Sequence, residues 1–491
     1  MGRVRVLISI ILTLAASGAP AEPDAAPGAE PDPGAIESEA RALMESGDFE
    51  AAERRYERLT ELVPESFVPH YNLACALARQ GDGDAASEAL SRAVALGFTD
   101  RLALTTDPDL ASIRGSAFYD ELLGRWGEIV RARRDADLER AVGMMRTQYE
   151  RRTLEGLRLE IVSAHDPVST DRAVDELERI ARWMRRGVFQ GLGRAPLDDQ
   201  PWVMVILPGE RGYARWVLET FGRGALASIS SVGGAYEHQQ RRLVARDLGA
   251  TLRHEFVHVL HWRDMTRLKQ EHAAWIQEGL AALVEDTDPA PGSALEPAPS
   301  WRTNMVKRML DVGVLPTIRQ LAREDLRRFT ARRPLAKYAH ARTVCMFLLD
   351  RGELGAFYDA YIRGFDDDPS GLETLTRVTG LEHEALEEAY RAWVAGLPAV
   401  PETGSDLDAT IGISVTEGSG DGVKVERVPF DIRREAGIRV GSVITAIDGR
   451  PTRDLREFIR VLGTKSPGQT VTLHHRWGRV HDEGEVELEP R

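Results

Sequence analysis

An internal repeat is the feature that most constrains how the first part of this chain folds. The segment GDFEAAERRYERLTELVP begins at Gly47, and the related segment GDGDAASEALSRAVALGF begins at Gly81, 34 residues later. Ala51 and Ala52 recur as Ala85 and Ala86. Small residues at these points allow paired helices to approach closely, and one such pair cannot bury its apolar face alone. The repeat therefore predicts helix-turn-helix units that stack on one another.

A period near 34 residues with this pattern resembles the tetratricopeptide repeats, over roughly residues 36 to 103. The following stretch, DPDLASIRGSAFYDELLGRW, is predicted to be a closing helix, so that the helical repeats occupy residues 36 to 130. The resemblance implies a groove that binds a protein partner. A role in packing alone is an equally good expectation for so few repeats.

The N-terminus has the pattern of a secretory signal peptide. Arg3 and Arg5 precede an apolar run from Val6 to Ala16, and Ala19-Pro20-Ala21 offers a site with small residues for cleavage. We expect a signal peptide over residues 1 to 21, a disordered Pro- and Ala-rich leader over 22 to 35, and a secreted or periplasmic protein. An uncleaved N-terminal anchor is the alternative.

Composition narrows the classes of function. The 491 residues are enough for two to four domains, and 43% apolar with 29% charged residues is globular composition. A net charge of −14 argues against a nucleic-acid partner, because binding the phosphate backbone needs a basic face. Cys75 and Cys345 both lie in apolar helical stretches, which predicts buried free thiols.

The middle of the chain has strand patterns first and helix patterns later, which is typical of an α+β domain. We assign residues 135 to 397 to this domain and residues 398 to 407 to a Pro/Gly linker. The predicted elements are a strand at Leu157 to Val162, a helix at Arg172 to Gly191, strands at Trp202 to Leu207 and Arg242 to Ala245, helices after Leu248, and a loop at Thr287 to Ser300.

A metal motif lies in the first of these later helices. Residues 254 to 258 read His-Glu-Phe-Val-His, and histidines four apart on a helix face the same way, so His254 and His258 can bind one ion. Glu255 lies beside the open coordination position, where a carboxylate takes a proton from water whose pKa zinc lowers from about 15.7 to about 7. Glu278, in the apolar helix AWIQEGLA, supplies a third ligand 20 residues after His258. Three ligands with one open position are typical of a catalytic zinc site.

The pair of motifs resembles the gluzincin peptidases, and the WIQEGLA wording is most similar to the bacterial family called MA-like. The resemblance covers about residues 140 to 395, and its specific part is residues 254 to 285. It implies Zn²⁺ as the cofactor and peptide-bond hydrolysis with Glu255 as the general base. Two ordinary helix histidines, or a metal-free relative with the same residues, are the alternatives.

The surroundings of the site depart from the resembling family at one position. Gluzincins often carry an aspartate four residues after the ligand glutamate to orient a histidine, and this chain has Ala282 there. Glu285 or a backbone carbonyl is the expected substitute. His261, seven residues after His254, is expected to lie around the metal ligands or to be exposed.

Two further features follow from the same resemblance. A helix after the ligand glutamate begins with a tyrosine in the family, which makes Tyr338 the expected oxyanion donor and His340 the reserve. The segment Gly233 to Tyr236 precedes the metal helix, where gluzincins have an edge strand that pairs with extended substrate. A plain hairpin turn is the alternative for this segment.

Residues 408 to 491 read as short strands with one or two helices and resemble the PDZ domain of bacterial proteases. The resemblance implies that the loop Ile411, Gly412 and Ile413 donates backbone N–H groups to the C-terminal carboxylate of a peptide. Packing against the catalytic domain, without peptide binding, is the alternative.

Taken together, the sequence predicts a multidomain fold: all-α helical repeats, an α+β gluzincin-like catalytic domain and a mainly-β PDZ domain. The expected function is a zinc metallopeptidase acting on extracytoplasmic proteins or peptides. The expected partners are these substrates, a C-terminal peptide on the PDZ domain and a protein in the groove of the repeats. A catalytically inactive interaction scaffold of the cell envelope is the rival hypothesis.

Overall fold

The computed structural model describes residues 32–145, 148–193, 202–207, 209–221, 234–237, 241–290, 294–331 and 333–491. The expected signal peptide and most of the expected leader lie outside the described residues. The expected leader extended to residue 35, but a helix already begins at Pro33, where Asp32 accepts a hydrogen bond from the N–H of Gly34. No helix in these described ranges has the length and apolar character needed to cross a bilayer.

Helices alone form the first part of the chain. They are α1 (Pro33–Ser46), α2 (Phe49–Leu62), α3 (Phe67–Gln80), α4 (Gly83–Ala95), α5 (Arg101–Thr106), α6 (Ala117–Gly124) and α7 (Trp126–Met144), with a 3-10 helix at Pro108–Ile113. Gly47 and Gly81 end α1 and α3 with φ of 84° and 86°. Asp48 and Asp82 then cap α2 and α4 through the backbone N–H groups of the third residue on. The repeated Gly-Asp pairs therefore set the helix boundaries.

Two expectations about the end of this region were wrong. The predicted closing helix is a 3-10 helix followed by α6, because Gly115, with φ of 83°, separates them. The boundary expected between residues 130 and 135 falls inside α7. Leu138 of α7 packs with Val203 and Trp216 in one apolar cluster, so the helical region runs directly onto the next domain.

A five-stranded mixed sheet begins the central domain. Its strands are β1 (Glu150–Leu154), β2 (Leu159–Ser163), β3 (Trp202–Ile206), β4 (Gly234–Glu237) and β5 (Arg242–Ala245), in the order β1-β2-β3-β5-β4. β2, β3 and β5 are parallel to one another, and β1 and β4 are antiparallel edges. Helices α8 (Pro167–Gly187) and α9 (Gly209–Phe221) precede and follow β3. Alternate residues of β3 enter two different apolar clusters, which explains why the whole strand is apolar.

Helices make up most of the rest of the central domain. They are α10 (Ala250–Leu268), α11 (Ala274–Leu283), α12 (Trp301–Asp311), α13 (Ile318–Ala322), α14 (Leu326–Ala331), α15 (Pro334–Asp350), α16 (Leu354–Arg363), α17 (Leu372–Thr379) and α18 (His383–Gly396). The loop expected at Thr287 to Ser300 is instead a hairpin of β6 (Thr287–Ala290) and β7 (Ala294–Pro297). Gly279 of α11 allows close contact with α15, because a Cβ there would lie 2.7 Å from Cys345 Sγ. Both cysteines are buried free thiols, as predicted.

The C-terminal module is built on a second sheet, in the order β14-β13-β11-β10-β9 with β12 paired to β11. Its elements are β8 (Ala409–Thr410), β9 (Ser414–Glu417), β10 (Val423–Arg427), α19 (Phe430–Glu435), β11 (Val443–Ile447), β12 (Arg450–Pro451), α20 (Leu455–Leu462), β13 (Thr470–Trp477), β14 (Val480–Glu487) and β15 (Glu489–Pro490). The module packs against the central domain, and the N–H of Leu248, just before α10, donates to the carbonyl of Gly420.

Candidate metal centre

Three potential ligands from two helices converge on one point. His254 and His258 lie one turn apart on α10, with their Nε2 atoms 3.1 Å from each other. Oε2 of Glu278, on α11, lies 3.2 Å from the first of these nitrogens and 3.4 Å from the second. The structure therefore brings together the three residues that the sequence named as metal ligands.

The size of this triangle fits a zinc ion. Ligands about 2.0–2.1 Å from a tetrahedral zinc ion lie about 3.3 Å from one another, close to the observed separations of 3.1 to 3.4 Å. Two imidazoles and one carboxylate are also the donor types that zinc takes in catalytic sites. Within the described ranges, this is the group of three His, Cys, Asp or Glu side chains placed to hold a metal.

The charges of the site favour a cation between these ligands. Burial alone raises the pKa of Glu278, but the two histidines outweigh it and hold that pKa well below its usual range. Burial lowers the pKa of His254, yet hydrogen bonds to Glu278 and Glu285 raise it to about 10. Each carboxylate is thus stabilised in its charged form by positive charge at the ligand nitrogens, which is the charge that a metal ion supplies.

Glu285 orients the first histidine. Its Oε1 lies 2.8 Å from Nδ1 of His254, which leaves Nε2 directed at the other two ligands. Arg302, from the start of α12, donates through Nη2 to the same oxygen at 2.7 Å and through Nε to Oε2. Burial raises the pKa of Glu285, but Arg302 and His254 together lower it to about 2. Glu285, and not a backbone carbonyl, is thus the group that orients His254 in a chain that has Ala282 at the position of the expected aspartate.

Arg302 is a residue that the sequence analysis missed. It lies two residues after the capping Ser300, on a helix that carries no motif, and the residue is only 7% exposed. A buried arginine with a carboxylate partner has no signature in sequence spacing, because the partners are 17 residues apart on different elements.

The carboxylate of Glu255 lies beside the ligands and under β4. A Cβ on Gly234 would come within 2.8 Å of both Glu255 Cγ and Thr251 Cγ2, so only glycine allows the strand to pass so close. Burial is the main cause that raises the pKa of Glu255. A carboxylate whose pKa is raised towards the working pH is a stronger base and accepts a proton more effectively. β4 is an edge of the sheet, as the resemblance implied, whereas Gly233 lies outside the described residues.

The two proposed oxyanion donors lie in different environments. The ring of Tyr338 lies 6.2 Å from the ring of His254, and burial together with the charges of Glu278 and Glu255 raises its pKa well above the usual value. His340 is buried in the helical core and stacks on Tyr390 at 5.6 Å. Tyr338 is therefore the one of the two that lies beside the metal centre.

His261 is buried, so the expectation of an exposed ring was wrong, and its hydrogen bond goes to another histidine rather than to a metal ligand. Its Nε2 lies 2.8 Å from Nδ1 of His272, and its ring packs against Phe189 at 5.1 Å. His261 lies one helical turn after His258, and its ring extends into the core of the central domain.

The expected peptide-binding loop lies at the surface of the C-terminal module. Ile411 is buried in the module's core, and Ile413 packs partly against it. Gly412 is exposed with φ of 78°, and its N–H donates to Thr410 Oγ1 at 3.1 Å. A peptide carboxylate would have to displace that hydroxyl. The adjacent β9 is an edge of its sheet.

Comparison with known families identifies the two flanking modules. A tetratricopeptide repeat family model matches residues 43–105, and a PDZ domain family model matches residues 409–488. Both resemblances are thereby confirmed, and the chain carries two types of module that serve protein interaction. Neither match reaches the metal centre.

Two individual proteins are similar to parts of the chain. A chloroplastic protein from Arabidopsis thaliana is 32% identical over 89 residues, which is 18% of this chain and 27% of that protein. The chain thus matches about a quarter of the length of that relative. A crystal structure of an aminopeptidase N family protein from Idiomarina loihiensis aligns over 70% of this chain and 67% of its own, with 13% identity and a TM-score of 0.26. A TM-score of 0.26 does not establish a shared fold.

Proposed function

We propose that the protein is a zinc metallopeptidase of the gluzincin type. The observation that carries the proposal is the triangle of His254, His258 and Glu278, with edges of 3.1 to 3.4 Å and with Glu255 beside it. A zinc ion held there would supply Lewis-acid activation of water and of the scissile carbonyl.

The surrounding residues divide the remaining work. Glu255 accepts the proton of the attacking water on its carboxylate and later delivers it to the leaving amine. Tyr338 donates a hydrogen bond to the carbonyl oxygen as that oxygen gains negative charge. Glu285, held by Arg302, fixes the ring of His254 so that Nε2 remains directed at the cation.

The substrates of this proposal are extracytoplasmic proteins or peptides. The signal-peptide pattern supports a secreted or periplasmic location. β4, which passes over Glu255, is an edge strand among the described residues, and such an edge is a place where an extended peptide can add as a further strand. The exposed Gly412 loop would bind the free C-terminus of a peptide, and the helical repeats would bind a further protein.

The rival proposal is a scaffold without activity. It is favoured by the tetratricopeptide and PDZ matches, because both modules serve protein interaction. Metal analysis of the purified protein separates the two proposals. Zinc well below one equivalent, with no hydrolysis of a mixed peptide library, would favour the scaffold.

The substitution Glu255→Gln tests the mechanism. Removal of the general base should lower the hydrolysis rate by about 10²- to 10⁴-fold and leave zinc bound at one equivalent, since Glu255 is not a ligand. Cleavage of a quenched-fluorescence peptide library, together with metal analysis, measures both. Glu384→Gln is a matched control, because Glu384 is exposed on α18. Wild-type activity in the Glu255 variant would refute the assignment.

A further inference from the structure

The PDZ domain contacts the residues that support the metal ligands. Its helix α20 packs against the central domain, and Glu457 of this helix is 6% exposed. Oε1 of Glu457 accepts from Nη2 of Arg253 at 3.3 Å, and Oε2 accepts from the N–H of Arg453 at 2.8 Å. Arg253 is the residue directly before His254. The interface between the domains therefore begins one residue from a metal ligand.

A short series of contacts connects Glu457 with that ligand. The same Nη2 atom of Arg253 donates to the backbone carbonyl of Glu285 at 2.5 Å. The carboxylate of Glu285 in turn lies 2.8 Å from Nδ1 of His254. Arg253 thus holds in place the backbone of the residue whose side chain orients the histidine, and Glu457 is one of the two carboxylates that hold Arg253.

Two other residues of α20 contact the same region. The guanidinium of Arg456 lies 4.5 Å from the ring centre of Trp301, and the guanidinium of Arg302 lies 4.5 Å from that ring as well. Arg460 donates through Nη2 to the carbonyl of Thr287 at 3.0 Å and through Nη1 to Asp288 at 2.7 Å. The PDZ helix therefore contacts Trp301, the neighbour of Arg302, and the residues that follow Glu285 by two and three positions.

Because Arg253 is buried, its position depends on the carboxylates that pair with it. Arg253 is 2% exposed, and Nη1 donates to Glu176 of α8 at 3.0 Å. A guanidinium so deeply buried has to be paired, so its position follows the carboxylates around it. If Glu457 loses its charge, Glu176 is the remaining carboxylate that is hydrogen-bonded to Arg253, so the balance of attraction on the guanidinium shifts towards α8.

We propose that the PDZ domain is part of the metal centre: Glu457 positions Arg253 and, through it, the Glu285 carboxylate that orients His254. Zinc affinity then depends on how α20 docks. This inference rests on the proposed zinc site but goes beyond it, since it gives the PDZ domain a role that requires no peptide ligand. Glu457 is a positioning residue, because it touches neither metal nor substrate.

The test measures zinc affinity of the full chain by competition with a chromophoric chelator. Loss of a group that orients a metal ligand costs about 10- to 100-fold in affinity. One step further from the metal, we expect Glu457→Gln to cost about 5- to 10-fold and to change the visible spectrum of the cobalt-substituted protein. Arg456→Ala, on the exposed side of α20, is a milder second variant, with an expected loss of about twofold to threefold.

The control removes a different contact between the same two domains. His481, on β14 rather than on α20, lies 2.6 Å from Asp166 of the central domain. His481→Ala should leave zinc affinity within twofold of wild type. If it weakens zinc binding as much as Glu457→Gln does, general loosening of the interface explains the effect and the inference is wrong.

A double-mutant cycle and hydrogen exchange complete the test. If Glu457 acts through Glu285, the combined loss in Glu457→Gln/Glu285→Gln is smaller than the product of the two single losses. Zinc removal by a chelator should also increase amide exchange in α20 of the wild type, because coupling between sites is reciprocal. Multiplicative losses and unchanged exchange would overturn the inference. A wild-type protein that binds no zinc would instead overturn the proposed function.

Discussion

The ion pair of Glu285 with Arg302 and His254 allows a prediction with a magnitude. The pKa of Glu285 falls from a usual value of 4.5 to about 2, and each unit corresponds to about 1.36 kcal/mol. At pH 7 the charged carboxylate therefore contributes about 3 kcal/mol to the stability of the central domain. Since the folded-state pKa is lowered, this contribution is present above pH 4.5 and is lost as the pH falls towards 2.

We expect Glu285→Gln to destabilise the domain by about 3 kcal/mol at pH 7 and by much less at about pH 2.5. Zinc affinity should fall about 10- to 100-fold, because His254 loses the charge that orients its ring. Urea unfolding of the metal-free protein at both pH values and chelator competition at pH 7 measure the two effects. Glu296→Gln, in the exposed position of the neighbouring hairpin strand, is the control.

Two results would refute this reasoning. If Glu285→Gln unfolds at the same urea concentration as wild type at pH 7, the buried pair does not stabilise the domain. If the variant keeps wild-type zinc affinity while Glu296→Gln also does, the orientation of His254 does not depend on Glu285.

Three further predictions concern other positions. Burial and the nearby Glu457 raise the pKa of Asp454 to about 7. The ionised side chain therefore destabilises the folded state increasingly as the pH rises from about 4 to 7. Asp454→Asn keeps a helix-capping side chain and should stabilise the protein by about 2 kcal/mol at pH 8 but not at pH 4, as pH-dependent melting would show. Gly234→Ala should lower kcat at least tenfold with zinc retained, because the added Cβ displaces Glu255; steady-state kinetics and metal analysis decide this. Tyr338→Phe should lower kcat about 10²-fold with little change in KM. An unchanged kcat with a raised KM would contradict the role of Tyr338 as oxyanion donor.

Local patterns predicted that the two histidine side chains lie side by side, for a physical reason. The four-residue spacing of His254 and His258 is a property of one helix, so any fold that contains the helix presents both rings on one face. The Gly-Asp pairs at Gly47 and Gly81 likewise end one helix and cap the next through contacts within a few residues. The environment of His261 was not predictable in the same way, because its hydrogen-bond partner His272 lies beyond the end of α10 and is set by the packing of the chain.

The sequence by itself determined the helical repeats, the PDZ domain and the histidine pair, because each depends on spacing within one helix or one compact module. It also named Glu278 as a candidate, but the packing of α11 against α10 is what brings that carboxylate to the histidines. Only the tertiary structure decided what surrounds the ligands. Glu285 contacts His254 directly and is held by Arg302. Glu457 pairs with Arg253, which donates to the backbone carbonyl of Glu285. These residues come from separate segments of the chain, and no sequence period encodes their hydrogen bonds and ion pairs. A buried charge takes whichever partner the packing brings within reach, and that packing is a property of the whole chain.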